Sequence, residues 1–246
     1  MIDILLTPAL LAVVLVMLHS YFGMEILKRG IIFTDLAIAQ FAALGSSVSL
    51  GYFHEEHFYL LTLSFALFSA LLIAFASTRK LHLEAFIGIL YVLGASGIMM
   101  VLSHSAEGME HFKSLLASDI LFTPPSEVFK SAAIYSVIGA ALYFIYPRVS
   151  GFAGEFLFFA LLAVTVTSSV SLAGVFVVFV LLIAPPFVSL SLGFRRPLLF
   201  SWLFGWFFSI SAIIISYFYD LPTGYSIVFL GAFLTAVAVL ASSKRG

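Results

Sequence analysis

The hydrophobic positions of this 246-residue chain come in long runs, and the polar positions are confined to short gaps between them. A helix needs about 20 predominantly apolar residues to cross the hydrocarbon core of a bilayer. At that length the pattern predicts spans at residues 5–24, 31–52, 58–76, 85–102, 129–146, 198–218 and 225–242. The run 156–194 is too long for one crossing, and we divide it near Ser171-Leu172. The predicted fold is therefore all-α, a polytopic transmembrane helix bundle of about nine spans. Reading 156–194 as one bent span gives eight. The gaps leave no room for a soluble domain, so residues 1–246 form one transmembrane domain. The longest gap, 103–128, is amphipathic at best.

Composition agrees with the pattern. Hydrophobic residues make up 63% of the chain and charged residues 9%, against roughly 25% charged in a soluble domain. So few charges cannot cover a water-facing surface of this size, so apolar side chains must face lipid. There are no cysteines, which excludes disulfides and thiolate metal sites. Met1-Ile2-Asp3 carries no basic region, so the first apolar run does not read as a cleaved signal peptide. Nothing in the charge pattern points to nucleic acid.

The few charges give the chain an orientation. Lys28-Arg29, Arg79-Lys80, Arg148 and Arg195-Arg196 stand at every second gap, and Lys244-Arg245 lies beyond the last span. Lysine and arginine flanks stay in the cytoplasm. Nine spans then put the N-terminus outside and the C-terminus inside. On this threading the inner gaps also hold Glu25, Glu84 and Glu155. The outer gaps hold Lys113 and Lys130 against Asp3, Glu55, Glu56, Glu107, Glu110, Asp119, Glu127 and Asp220. The opposite threading would invert this bias.

Few residues could carry chemistry. Asp35 is the one carboxylate placed inside a span, where a charge costs a few kcal/mol or more unless it faces a cavity or a partner. It reads either as lining a permeation path or as a helix-end residue near the cytoplasmic boundary. Gln40, five positions on, is about 140° around a helix from Asp35, so the two do not share a face. Outside the bilayer, His54-Glu55-Glu56-His57 forms a short turn, and His104, Glu107 and His111 share one face if that gap is helical. Imidazole and carboxylate together suit zinc, manganese or iron. Four successive ligand-type residues cannot all converge on one ion, and the plainer reading is a solvated acidic rim, or a rim that docks an external protein. Clusters such as Gly94-Ala95-Ser96-Gly97 and Ser168-Ser169-Val170-Ser171 read as close helix packing. No G-x-x-x-x-G-K-[ST] loop, H-E-x-x-H pair or serine elbow occurs. The chain is not an enzyme on this reading, and any ATP that drives it must be hydrolysed by another chain.

Several ordered patches resemble the permease subunits of the zinc/manganese/iron family of bacterial ABC importers. Gly23 through Lys28-Arg29 to Phe33 looks like the end of that family's first span, and Asp35 to Gly45 sits where its second-span motif lies. Glu84-Ala85-Phe86-Ile87-Gly88-Ile89 resembles the acidic-x-x-x-Gly-Ile start of a later span. Ser118-Asp119-Ile120-Leu121 is similar to a Phe-Gly-Asp-Ile-Leu patch. The most specific stretch is Ser171 to Ser189, with Gly174, an apolar run and Pro185. Leu221-Pro222-Thr223-Gly224 resembles the start of the last span.

The resemblance implies a homodimeric permease in a bacterial or archaeal cytoplasmic membrane, with cytoplasmic ABC ATPases and an extracytoplasmic metal-binding lipoprotein as partners. It implies a divalent metal ion as substrate, with no permanently bound cofactor. It makes Asp35, Gln40 and Glu84 candidates for the permeation path, and the 147–155 loop, with Arg148, Gly151 and Glu155, the ATPase contact. Asp35, His54, His57, His104 and His111 are the candidate metal contacts. The chain departs from the family in one place. The second span there usually carries aspartate, then histidine four residues later, then glycine five beyond; counting back from Gly45 puts Gln40 at the histidine and Leu36 at the aspartate, and counting forward from Asp35 puts Ala39 at the histidine, so the pair is broken either way. A neutral amide is a weak zinc ligand, so a chelated or hydrated ion, or a different metal, is an alternative cargo. An ion-coupled secondary transporter is the rival class; it predicts inverted repeats and more intramembrane charge, and neither is evident here. An intramembrane enzyme would need a catalytic pair at membrane depth, and Asp35 has no visible partner.

The nine-span threading makes a direct prediction. A single cysteine placed at Ser171 in this cysteine-free chain should react with a membrane-impermeant thiol reagent added to intact cells. Labelling only after the membrane is opened would contradict the threading.

Overall fold

The structure, a computed structural model, describes residues 2–79, 81–103 and 120–242, with side chains from Leu5 onward. Nine α-helices lie among them: α1 Ile2–Arg29, α2 Thr34–Phe53, α3 Phe58–Ser77, α4 Leu83–Leu102, α5 Pro125–Ala140, α6 Gly151–Ala173, α7 Val175–Ser191, α8 Pro197–Tyr219 and α9 Thr223–Ser242. No strand occurs among the described residues. Eight segments are long and apolar enough to cross a membrane, α5 being counted through Arg148. α7, at 17 residues, is shorter, about 26 Å of helix. The chain is a multi-pass membrane protein.

The turn chemistry is local. α1 stops at Gly30, whose φ of 67° suits glycine. α2 ends in a left-handed His54 whose N–H bonds Ser49 O, and α8 ends the same way at Asp220, onto Ser216 O. Pro197 opens α8, where its missing N–H costs nothing.

The division of 156–194 near Ser171-Leu172 is real, and it falls at Gly174. Gly174 has φ 84° and ψ 157°, a conformation essentially restricted to glycine. The serines before it do not break the helix. Their hydroxyls bond carbonyls of the preceding turn: Ser168 Oγ to Thr165 O, Ser169 Oγ to Thr165 O and Ser171 Oγ to Ser168 O. A hydroxyl satisfied in this way is compatible with helix in an apolar setting. Three boundaries differ from the sequence reading: α1 runs on to Arg29, α5 begins at Pro125, and α6 starts at Gly151 rather than near 156.

The molecule divides into two compact units. One comprises 1–30, 118–135 and 172–246; the other comprises 31–117 and 136–171. In the first unit, α1 meets α7 at Gly23, where a Cβ would lie 1.8 Å from Leu182 O. α8 is fixed to α1 by two indoles: Trp202 Nε1 donates to Met17 O at 3.0 Å and Trp206 Nε1 to Val13 O at 3.3 Å. Gly205 lies between them, where a Cβ would meet Val16 Cγ1 at 2.6 Å. In the same unit Ser189 and Ser201 share a hydroxyl–hydroxyl bond of 2.9 Å. In the second unit, Gly45 lets α2 approach Leu61 O on α3, and Gly94 lets α4 approach Gln40 on α2. Both units obey one rule: without a hydrophobic force between helices in lipid, small residues permit the close contact that holds them.

Gly23→Val should therefore destabilise the detergent-purified protein by about 1–3 kcal/mol or more, the scale of overpacking, and lower its thermal midpoint. Gly139 has nothing within 4 Å of its would-be Cβ. Gly139→Ala should leave the midpoint unchanged or raise it, and a loss as large as that of Gly23→Val would contradict the packing account.

Candidate functional site

α2 and α4 pack along their lengths in the second unit and carry the three candidate path residues. Asp35 is the second residue of α2, only 2% exposed. Its carboxylate lies by the backbone N–H groups of its own residue and Leu36, the positive end of the helix dipole. Its Oδ1 is buried without a hydrogen-bond partner. Gln40, also buried, presses its Cβ against Gly94, 2.9 Å from where a glycine Cβ would be. Glu84 occupies the first turn of α4. Its carboxylate faces the backbone of Phe33, the residue that opens α2, and its Oε2 is likewise buried and unpartnered. The structure thus brings Asp35 and Glu84 to the same end of α2, and places Gln40 farther along against α4. Two carboxylates, each with an orphaned buried oxygen, make this end of α2 attractive to a cation.

Gly88, one turn after Glu84, has open space where a Cβ would stand. Gly45, by contrast, is needed: a Cβ there would lie 2.4 Å from Leu61 O.

The 54–57 turn is exposed and tightly wound. His54, Glu55 and His57 have φ of 51°, 69° and 64°, left-handed values uncommon for non-glycine residues. The fully buried Ser49 holds the turn from below, its Oγ donating to Glu56 O at 2.8 Å. The side chains of His54 and His57 point to solvent, and no group of three His, Cys, Asp or Glu able to hold a metal ion occurs among the described residues. His104, His111 and Asp119 lie outside the described residues. His19, in α1, is fully buried and its Nδ1 bonds Leu15 O at 2.7 Å, as expected of a bundle histidine.

At the other loop, Arg148 ends a short 3₁₀ turn, Val149 and Ser150 are the linker, and Gly151 opens α6 with φ 63°. A Cβ on Gly154 would lie 2.7 Å from Val149 O, which keeps the linker tight. Glu155 is half-buried within the first turns of α6. Pro185 sits inside α7, with its ring 3.2 Å from where a Gly205 Cβ would be. Pro222 O accepts the Ser226 N–H at the start of α9, next to Gly224. Sequence reasoning missed the two tryptophans, the Ser49 clamp and the irregular end of α5. Pro147 was the available signal for the last of these.

A family model described as the ABC 3 transport family matches residues 149–242. The chain's sequence is 27% identical over 169 residues to a Haemophilus influenzae protein described as a probable iron transport system membrane protein. That alignment covers 62% of this chain and 62% of the relative. Its fold is that of solved ABC permeases. The PsaBC complex of Streptococcus pneumoniae, determined with a Fab, superposes with a TM-score of 0.76 at 17% identity, over 96% of this chain and 90% of that one. A metal-chelate type ABC transporter in an inward-facing conformation superposes at 0.70 and 16% identity, over 95% and 85%. The chain therefore shares the fold of these two solved structures over nearly its whole length, while the family model matches its C-terminal part.

Proposed function

We propose that the chain is the membrane-spanning permease subunit of an ATP-binding-cassette importer for a divalent metal ion: zinc, manganese or iron. The observation that carries this reading is the family match over residues 149–242, joined to a sequence with no nucleotide-binding loop of its own. On this reading separate cytoplasmic ATPases hydrolyse ATP and dock on the 147–155 linker. An extracytoplasmic metal-binding lipoprotein docks on the outer loops, and two copies of the permease form the transport unit in the cytoplasmic membrane. The Haemophilus relative's description as an iron transport system membrane protein supports a metal cargo.

The mechanism is set by charge. Acidic outer gaps, including Glu55 and Glu56, raise the local concentration of cations. The ion then passes the α2–α4 surface, where Gln40 is buried, towards Asp35 and Glu84. Their unpartnered oxygens offer the negative charge that a desolvated cation needs. ATP-driven movement of the partner subunits alternates which side this path faces. A chelated metal is the second reading, favoured by one feature of the sequence: the histidine place of the resembled motif holds Gln40 or Ala39, depending on the register, and neither is a good zinc ligand.

Asp35→Ala should lower metal uptake by at least about tenfold at normal expression, the scale of losing one charge-assisted contact. Asp35→Asn, which keeps an acceptor beside the α2 N–H groups, should lower it too. Elemental analysis of cells carrying each variant measures this. Full uptake in both variants would remove Asp35 from the path.

A further inference from the structure

The end of α5 departs from α-helix in two successive ways. Residues Ala141–Ile145 are π-helical, with the Tyr146 N–H bonded to Ala141 O, and Tyr146–Arg148 form a 3₁₀ turn that ends when Val149 N–H bonds Tyr146 O. Pro147 explains both. In a continuing α-helix it would leave Tyr143 O without its donor and press its ring against that carbonyl. Widening the preceding turn to π register and tightening the next one carries the chain past the proline. Arg148 completes the arrangement: its guanidinium donates back to Phe144 O, the carbonyl that the Arg148 N–H would serve in an α-helix.

Little packing holds this segment in one register. Tyr143, Phe144 and Ile145 are 75%, 58% and 52% exposed, so three successive side chains point away from protein, and only Leu142, at 4%, is buried. Tyr146 touches Phe158 through a tilted ring contact at 5.8 Å. Beyond the segment the linker is short and closely wound: Gly151 takes a left-handed φ and Gly154 lies under Val149 O. A loosely held turn of unusual register thus joins the body of α5 to a tight linker. π segments inside α-helices recur at functional sites, and 3₁₀ stretches at hinges.

We propose that Ala141–Arg148 is a two-register hinge, set by Pro147, which turns the 149–151 linker relative to α5. A shift of one helical residue rotates the linker by about 100° and moves it by about 1.5 Å. This inference rests on the proposed function where it says what the hinge serves: the linker is the contact for the ATPase, and the hinge lets it follow the ATPase while α5 stays seated.

The chain has no cysteines, so spin labels can be placed at Val137→Cys, on exposed α5, and Ser150→Cys, in the linker. Distances would be measured by pulsed electron resonance in the permease alone and with its ATPase, nucleotide-free and nucleotide-trapped. The expected result is two distances whose populations change with the state of the ATPase, collapsing to one in Pro147→Ala. Metal uptake by Pro147→Ala should fall several-fold while the complex still assembles. A single distance in every state, or two that Pro147→Ala leaves unchanged, overturns the hinge. Normal uptake by Pro147→Ala overturns its role in transport. If the wild-type complex takes up no metal in any state, the proposed function fails, and the distances in the permease alone still judge the hinge.

Discussion

The bilayer interior offers no water to backbone N–H and C=O groups, and most of this structure is a response to that lack. Every crossing must be helical so that its backbone is satisfied internally. Wherever the helix is interrupted, the freed groups must find partners nearby. The interruption at Gly174 is buried in protein, and Thr123 Oγ1 donates to the nearby Leu172 O at 3.3 Å. Around Pro147, the π turn bonds Tyr146 N–H to Ala141 O, and the Arg148 side chain serves Phe144 O, which the Arg148 N–H would serve in a continuing helix. Buried hydroxyls obey the same constraint, and most return to a carbonyl three or four residues back.

Helix association then depends on close approach rather than on the hydrophobic effect. Glycines at 23, 45, 94 and 205 let a neighbouring backbone or side chain come where a Cβ would collide. The two indoles of α8 bonding carbonyls of α1 add direction to that contact. Among the described residues, the features not taken up by this packing are few. They are two carboxylates at the start of α2, an amide beside Gly94, an acidic turn held by Ser49, and one loosely packed helix end beside a tight linker.

The helical spans were legible in the sequence, because span length is a direct consequence of bilayer thickness. The helices α2, α3, α4, α8 and α9 lie where the apolar runs put them. The break inside the long apolar run lies near Ser171-Leu172, where its length called for a division. The helix runs through Ser168 to Ser171 because each hydroxyl that bonds back to the preceding turn costs it little. Only the positive φ at Gly174 reveals the true position. At the site, the charge of Asp35 was evident in the sequence, but its place on the first turn of α2, with Glu84 facing the same turn from α4, depends on how two separated segments pack. Pro147 was visible as well; its effect on five preceding residues was not, since the same dipeptide could as easily have ended the helix.

On the proposed function, metal crosses the membrane through this chain at the expense of ATP hydrolysed by another subunit. The most direct measurement is uptake of radioactive zinc, manganese or iron by cells that express the chain with its ATPase, after an ionophore has dissipated the ion gradients while ATP is maintained. The account predicts that uptake continues under the ionophore and stops when ATP is depleted. Uptake that collapses with the gradients while ATP remains would contradict it, and would favour an ion-coupled transporter built on the same fold.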